Sequence, residues 1–217
     1  MDEVSIRILL VDDHPLVIDG LRAALAEQAE IEIVAHASTL AEARSLRSTV
    51  ECDVVMLDLR LPDGSGIELL REALDDPEPP AFLVLSSFQT DEYVSAAIAL
   101  GANGFLLKTA PASEIVAAVR HIAEGGLAFT PEQLRASRHA AWAPLTEREH
   151  AILAGVIRGR SNDELAGDLG LARKTVEGYL SRLFARYGVI TRTELAVHAE
   201  RDQLLDLPYE PRRRWRR

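Results

Sequence analysis

Five polar residues stand directly after short apolar runs of this sequence, and their types could together hold a cation. In chain order they are Asp12 and Asp13 after 6–11, Asp58 after 53–57, Ser86 after 81–85, and Lys108 after 104–107. Three carboxylates brought close together repel one another unless a cation joins them. Oxygen donors suit Mg²⁺, a hard ion that binds one or two carboxylates together with phosphate and water. The residue types therefore predict a magnesium site.

A buried parallel sheet would bring these five residues together. Residues 1–125 show five strand–helix units, with apolar runs near 6–11, 31–36, 53–58, 81–86 and 104–107. Short continuous runs of this kind are typical of parallel strands covered on both faces. The carboxyl ends of such strands line one edge of the sheet, where ligands bind. We therefore predict an α/β fold, a doubly wound, flavodoxin-like sheet of five parallel strands.

The helices of this half follow from the same patterns. The first carries apolar residues at helical spacing, namely Leu16, Leu21, Ala24 and Leu25. Later helices are expected to begin near Leu40, Ile67, Asp91 and Ala112. Residues 126–144 are predicted to be a linker, with a short helix from Glu132 to His139.

Charge divides the chain of 217 residues into two halves. Residues 1–125 hold 22 acidic and 8 basic residues, a net charge of −14, whereas residues 126–217 hold 12 acidic and 16 basic, a net charge of +4. This asymmetry predicts two domains with different partners, and nucleic acid for the basic one. The single cysteine, Cys52, excludes an internal disulfide framework and fits a reducing cytoplasm. No signal peptide or membrane span is visible, so we expect a cytoplasmic protein without a membrane partner.

Residues 145–205 show no strand pattern and predict an all-α domain of four helices. Capping boxes at 146–149 and 161–164 mark two helix starts, and Gly170 ends a short helix. A short helix, a glycine-containing turn and a second amphipathic helix form a helix-turn-helix pattern. The helix after the turn, the predicted recognition helix, buries Val176, Leu180 and Leu183. Its other face holds the candidate DNA contacts, which are Arg173, Lys174, Thr175, Glu177, Gly178, Ser181 and Arg182.

The C-terminal end of the basic half consists of a last helix and a basic tail. The helix is expected to span about Arg192 to Leu205. Residues 206–217 form a basic tail, in which 211–217 hold five arginines. Such a block is either a solvated tail or an arm that contacts phosphates.

These motifs resemble a known family. LVDDHP at 10–15, MLDLRLPDGSG at 56–66, VLSS at 84–87 and GANGFLLK at 101–108 resemble the receiver domain of two-component response regulators. LTERE at 145–149, SNDELA at 161–166, TVE at 175–177 and RTEL at 192–195 resemble the LuxR-type helix-turn-helix. Over nearly its whole length the chain resembles a response regulator of the NarL/FixJ type.

The resemblance implies a transcription regulator rather than an enzyme. Asp58 would accept a phosphoryl group from a sensor histidine kinase, with Mg²⁺ held directly by Asp13 and Asp58 and through water by Asp12. Lys108 would pair with the phosphoryl oxygens, Ser86 would donate a hydrogen bond to one of them, and Phe105 occupies the aromatic switch position. The regulator would bind double-stranded DNA, and a homodimer is expected after phosphorylation or on DNA. In relatives the last helix pairs the DNA-binding domains, and here Leu195, Ala199 and Val197 would be available for that contact.

Two residues of the DNA-binding half depart from the family pattern. Ala172 replaces a capping residue at the start of the recognition helix, and Glu177 stands where lysine is common.

Two other functions are possible for these motifs. One is a regulator of the same architecture that is switched by a ligand or partner protein without phosphorylation; the intact set of acids argues against it. The other is a phosphatase of the haloacid-dehalogenase type, whose two acids lie two residues apart after the first strand. Here Asp12 and Asp13 are adjacent and Asp58 follows the third strand.

Overall fold

A computed structural model describes residues 5–139, 143–207 and 209–210. The chain divides into two compact units, 1–142 and 143–217. The arginines predicted to form a basic tail at 211–217 lie outside the described residues. The predicted domain boundaries stay predictions, although the residues of the predicted linker up to position 142 fall within the first unit. Among the described residues, no helix combines the length and apolar character needed to cross a membrane.

The first unit is an α/β structure. Its elements are β1 (Ile6–Val11), α1 (Pro15–Ala26), β2 (Ile31–Ala37), α2 (Leu40–Thr49), β3 (Val54–Asp58), β4 (Arg60–Leu61), β5 (Gly64–Ser65), α3 (Gly66–Ala73), β6 (Ala81–Ser86), α4 (Asp91–Ala99), β7 (Gly104–Leu107), α5 (Ala112–Ala123) and α6 (Pro131–His139). Five parallel strands form one sheet in the order β2-β1-β3-β6-β7, and β4 pairs with β5 in a small hairpin. The predicted five-stranded parallel sheet is confirmed. Strand β3 is buried along its whole length, as its continuous apolar run predicts.

Helix α1 buries most of the apolar face that the sequence indicated, with the exception of Leu16. Leu16 is 88% exposed, whereas Ile18, Leu21 and Leu25 are buried. These three residues have i, i+3, i+7 spacing and pack on the core between the helix and the sheet. Leu16 lies in the first turn of the helix, outside that stripe, so its place in the predicted apolar pattern is wrong.

Helix α6, predicted in the linker, is present and packs against α4. The side chain of Gln133 is buried where α6 meets the sheet. Its Nε2 donates to the carbonyl oxygen of Phe105 and to Oε1 of Gln89, each at 3.2 Å. Its Oε1 accepts from the backbone N–H of Thr130 at 2.8 Å. Gln133 therefore attaches α6 to the end of the sheet.

Replacing Gln133 with alanine is expected to loosen α6. A buried donor or acceptor left without its partner costs about 1–3 kcal/mol, and the carbonyl of Phe105 would lose its contact with the amide. We expect faster hydrogen exchange across 131–139, with the rest of the sheet unchanged. Arg135→Ala, an exposed change on the same helix, is the matched control. Equal exchange in the two variants would contradict the role of Gln133.

The second unit contains the four predicted helices. Its elements are β8 (Leu145–Thr146), α7 (Glu147–Ile157), α8 (Asn162–Leu169), α9 (Arg173–Tyr187), α10 (Arg192–Arg201) and β9 (Tyr209–Glu210). The capping boxes at Thr146 and Ser161 are present, and sequence analysis missed a third at Thr191. Ala172 makes no side-chain cap for α9. The short parallel pair β8–β9 was not expected, and α10 ends four residues before the predicted Leu205.

Candidate functional site

Strand register brings the acids and the lysine to one edge of the sheet. Val11 of β1 pairs with Leu57 of β3, so the chain passes into Asp12 beside Asp58. Ser86 at the end of β6 pairs with Leu107 of β7, and the backbone N–H of Lys108 donates to the carbonyl of Ser86 at 2.8 Å. The edge therefore gathers residues that are up to 96 positions apart in the sequence.

Lys108 joins two buried carboxylates. Its Nζ lies 2.6 Å from Oδ2 of Asp12 and 2.7 Å from Oδ2 of Asp58. The three side chains are 5% exposed or less. A buried ammonium shared in this way balances only one of the two negative charges. The pocket therefore keeps an excess of negative charge even before Asp13 is counted.

Burial dominates the acidity of Asp58. It raises the pKa of this carboxyl, while the hydrogen bond and charge of Lys108 act in the opposite direction and the neighbouring Asp12 adds to the rise. The backbone N–H of Arg60 donates to Oδ1 of Asp58 at 3.2 Å. The carboxylate is thus poorly solvated, and a cation in the pocket would favour its ionised form.

Asp13 and His14 complete the pocket. Nδ1 of His14 lies 2.7 Å from Oδ1 of Asp13, 3.1 Å from Oδ1 of Asp12 and 3.7 Å from Oδ2 of Asp58. One potential ligand atom from each of these four residues can be chosen so that all lie within 4.8 Å of one another. The LVDDHP motif places His14 next to Asp12 and Asp13 in the sequence, but nothing in the spacing indicates that its ring turns back towards the acids.

The donor set fits a divalent cation. Three carboxylates and one ammonium leave two negative charges to balance, and carboxylate oxygens are the ligands that Mg²⁺ prefers. Asp13 is partly exposed, so an ion and its water could enter from solvent. The predicted ligands Asp12, Asp13 and Asp58 are therefore brought together by the fold.

Ser86 is the last residue of β6, whereas Phe105 lies within β7 and pairs with Val84. The hydroxyl of Ser86 is buried and accepts from the backbone N–H of Phe88 at 3.2 Å. The ring of Phe105 is fully buried, and its backbone carbonyl holds Gln133. The roles predicted for Ser86 and Phe105 therefore stay predictions.

Gly66 packs closely against the backbone of Asp58. It is the last residue of the MLDLRLPDGSG motif, but sequence analysis did not single it out. A Cβ built on Gly66 would stand 2.2 Å from the carbonyl oxygen of Asp58. Its own N–H donates to the carbonyl of Leu59 at 2.9 Å. Only glycine allows the start of α3 to approach the backbone of the phosphoacceptor candidate so closely.

The predicted recognition helix, α9, presents the expected polar face. Val176, Leu180 and Leu183 are buried. On the other face, all the candidate DNA contacts are exposed except Gly178, which is half-buried; the exposed ones are Arg173, Lys174, Thr175, Glu177, Ser181 and Arg182.

Ion pairs modify the charge of this face. Arg173 lies 3.1 Å from Asp163 of α8 and 3.1 Å from Glu177 of its own helix. Arg182 stacks over the ring of Tyr179, with 4.3 Å between the guanidinium carbon and the ring centroid. Lys174 forms no ion pair within the part of the chain that the structure describes. Sequence analysis did not anticipate the pairing of Arg173 with Asp163, which comes from a different helix.

Comparison with known proteins finds one family match in each of the two units. Residues 8–120 match the response regulator receiver domain. Residues 143–199 match the bacterial regulatory proteins of the luxR family. The crystal structure of the response regulator ChrA of a heme-sensing two-component system is 34% identical and aligns over 93% of this chain and 99% of that chain, with a TM-score of 0.51.

Two curated relatives are similar over almost the whole chain. The DNA-binding transcriptional activator DevR/DosR of Mycobacterium tuberculosis is 36% identical over 203 residues, which cover 89% of this chain and 94% of that protein. The transcriptional regulatory protein LiaR of Bacillus subtilis is 34% identical over 210 residues, covering 93% and 100%. This chain therefore belongs to the NarL/FixJ type of two-component response regulators, transcription regulators that join a receiver domain to a LuxR-type DNA-binding domain.

Proposed function

We propose that Asp58 is the phosphoacceptor through which a sensor histidine kinase controls DNA binding by this regulator. The observation that carries the proposal is the buried Asp58 carboxylate, held by Lys108 at 2.7 Å beside Asp12 and Asp13. An alternative regulator that works without phosphorylation would not need this set of acids. Acetyl phosphate with Mg²⁺ tests the proposal: a receiver is labelled once per chain, whereas a phosphatase turns the donor over.

The pocket can perform the transfer with its own residues. Oδ of Asp58 attacks the phosphorus of the kinase phosphohistidine; the new P–O bond forms as the P–N bond breaks, and the histidine leaves with the electron pair. Lys108 then pairs with the phosphoryl oxygens, and the Ser86 hydroxyl turns from the N–H of Phe88 to donate to one of them. A Mg²⁺ ion held by Asp13 and Asp58, and through water by Asp12, would supply neutralisation of the developing charge.

We further propose that α9 reads DNA in the major groove, with phosphate contacts and base contacts made by different residues. Arg173, Lys174 and Arg182 are cations that can reach phosphates. Thr175, Glu177, Gly178 and Ser181 lie on the same exposed face and are the candidates for contact with bases. The single cysteine and a DNA partner favour the cytoplasm as the location.

Lys174→Ala is expected to weaken binding to operator and random DNA about equally, with the salt slope of log K reduced by about 1, because a phosphate contact is lost. Glu177→Ala is expected to reduce the discrimination between bases at one position of the operator by about 1–3 kcal/mol. It also frees Arg173 from one of its two acids, so affinity for random DNA should rise.

Binding to operator and scrambled duplexes at two salt concentrations measures both effects. Glu200→Ala, which removes an exposed acid from α10, is the matched control for the loss of negative charge. If Glu177→Ala keeps the wild-type sequence preference, Glu177 does not read a base, and α9 must dock in another way.

We propose that phosphorylation favours a homodimer, because a dimer with two-fold symmetry can bind the two half-sites of one operator. The predicted pairing residues need correction: Leu195 and Ala199 are buried, and α10 packs on α7 and α9 of its own unit. Val197 remains exposed, at 59%. We expect sedimentation of the phosphorylated protein on DNA to show two copies per site, and Val197→Glu to weaken the pairing. A one-to-one complex on the full operator would contradict a dimer.

A further inference from the structure

We propose that Nδ1 of His14 is a further ligand of the cation in the Asp58 pocket, so that the pocket favours first-row transition ions over Mg²⁺ more than carboxylates alone would. This inference rests on the proposed function, since it takes the pocket to be a divalent cation site. It adds a nitrogen donor to the oxygen donors of Asp12, Asp13 and Asp58.

The distances around His14 are those expected between neighbouring ligands of one ion. In an octahedral site with metal–oxygen bonds of about 2.0–2.1 Å, adjacent ligand atoms lie about 3 Å apart. Nδ1 lies 2.7 Å from an oxygen of Asp13 and 3.1 Å from an oxygen of Asp12. The third carboxylate, that of Asp58, is 3.7 Å away. Nδ1 therefore lies among the oxygen atoms that would surround the ion.

The backbone holds the imidazole in this place. The N–H of His14 donates to Oδ1 of Asp12 at 2.8 Å, and Pro15 follows as the first residue of α1. His14 is the N-cap residue, yet its side chain makes no capping hydrogen bond. The ring is therefore not used to begin the helix, and its Nδ1 is directed to the acids.

Charge and access favour the same role. The three carboxylates and Lys108 already leave two negative charges, so a neutral imidazole adds a donor without changing the balance for a divalent ion. The side chain of His14 is 54% exposed, which leaves a path from solvent. Nζ of Lys108 lies 3.3 Å from Nδ1, so the ammonium and the imidazole border the same space.

Ligand chemistry gives the consequence. Imidazole suits iron, nickel, copper and zinc, whereas Mg²⁺ takes oxygen ligands and gives up its water reluctantly. A pocket with one nitrogen donor should gain affinity along the series from Mn²⁺ to Ni²⁺. The same pocket without His14 would depend on oxygen donors, and its preference for Ni²⁺ over Mg²⁺ should be smaller.

Pulsed electron paramagnetic resonance of Mn²⁺ bound to the full-length protein tests the coordination directly. Modulation of the electron spin echo by a directly bound ¹⁴N nucleus is expected in the wild type and in His36→Gln, and its loss is expected in His14→Asn and His14→Ala. His36 is the matched control, because its ring lies near the pocket but contacts the backbone carbonyl of Asp12. Asparagine is a favoured N-cap residue, so His14→Asn should keep α1 folded.

Calorimetric titration with Ni²⁺ and Mg²⁺ measures the preference. Loss of even an outer-shell partner typically costs 10–100-fold in metal affinity, so we expect His14→Asn to weaken Ni²⁺ binding at least about tenfold and Mg²⁺ binding less. Two results would overturn the role of His14 alone. One is metal binding that requires Asp13 and Asp58 but shows no ¹⁴N modulation in the wild type. The other is an equal loss of Ni²⁺ and Mg²⁺ affinity in His14→Asn. Binding that survives Asp13→Ala combined with Asp58→Asn overturns the cation site itself, and with it the proposed function.

Discussion

Asp58→Asn is expected to abolish labelling of the protein by acetyl phosphate in the presence of Mg²⁺. The amide is close to isosteric with the carboxylate, but it cannot attack phosphorus as an anion, and it removes one of the predicted metal ligands. Labelling is measured by intact mass or by retardation on a phosphate-binding gel. Asp19→Asn, an exposed change on α1, should be labelled like the wild type. Labelling of Asp58→Asn at the wild-type rate would disprove the assignment.

Loss of folding would not explain this result, because the same change is expected to stabilise the metal-free protein at neutral pH. Burial raises the pKa of Asp58 above its unfolded value. The folded state therefore holds the proton more tightly, and stability falls as pH rises through the interval between the unfolded and the folded pKa. Asparagine carries no charge to bury, so Asp58→Asn should have a higher free energy of unfolding than the wild type above that pH interval. The difference should vanish below it. Urea unfolding in EDTA at several pH values measures the difference.

The sheet and the positions of its acids could be predicted because both depend on local patterns. A continuous apolar run gives a buried strand, and the residue that follows it must lie at the edge. Asp12, Asp58 and Lys108 were therefore assigned to one pocket without knowledge of the strand order. Helix ends were equally local, as the capping boxes at Thr146 and Ser161 illustrate.

Side-chain direction and contacts between distant elements could not be predicted in the same way. Leu16 has the right residue type for a buried helix face, but whether it is buried depends on where α1 lies on the sheet. Leu195 and Ala199 were assigned to a partner and instead face their own unit, because a helical stripe does not tell which neighbour covers it. The contact of Gln133 with Phe105 spans 28 residues and has no periodic pattern at all.

The chain provides a matched pair for testing the pocket, because its only two lysines are Lys108 and Lys174. Lys108→Met keeps most of the buried stem and removes the charge that Asp12 and Asp58 share. Breaking a buried ion pair from one side costs roughly 3–5 kcal/mol, since it leaves buried charge uncompensated. We expect a loss of this order in the free energy of unfolding of the first unit at pH 7 in EDTA. Lys174→Ala, an exposed change, should cost less than about 0.5 kcal/mol.

The loss in Lys108→Met should depend on pH and on metal. Without Lys108, only the smaller effect of the hydrogen bond from the backbone N–H of Arg60 opposes burial, so the pKa of Asp58 rises further above its unfolded value. The deficit relative to wild type should therefore be full at neutral pH and shrink as pH falls towards the ordinary range of a carboxyl group, where the proton replaces the ammonium. Saturating Mg²⁺ should recover part of it, because ligand binding stabilises the folded state by mass action. Far-UV circular dichroism in urea, with and without Mg²⁺, follows the transition, and a deficit that is the same at pH 4 and pH 7 would show that Lys108 acts through packing rather than charge.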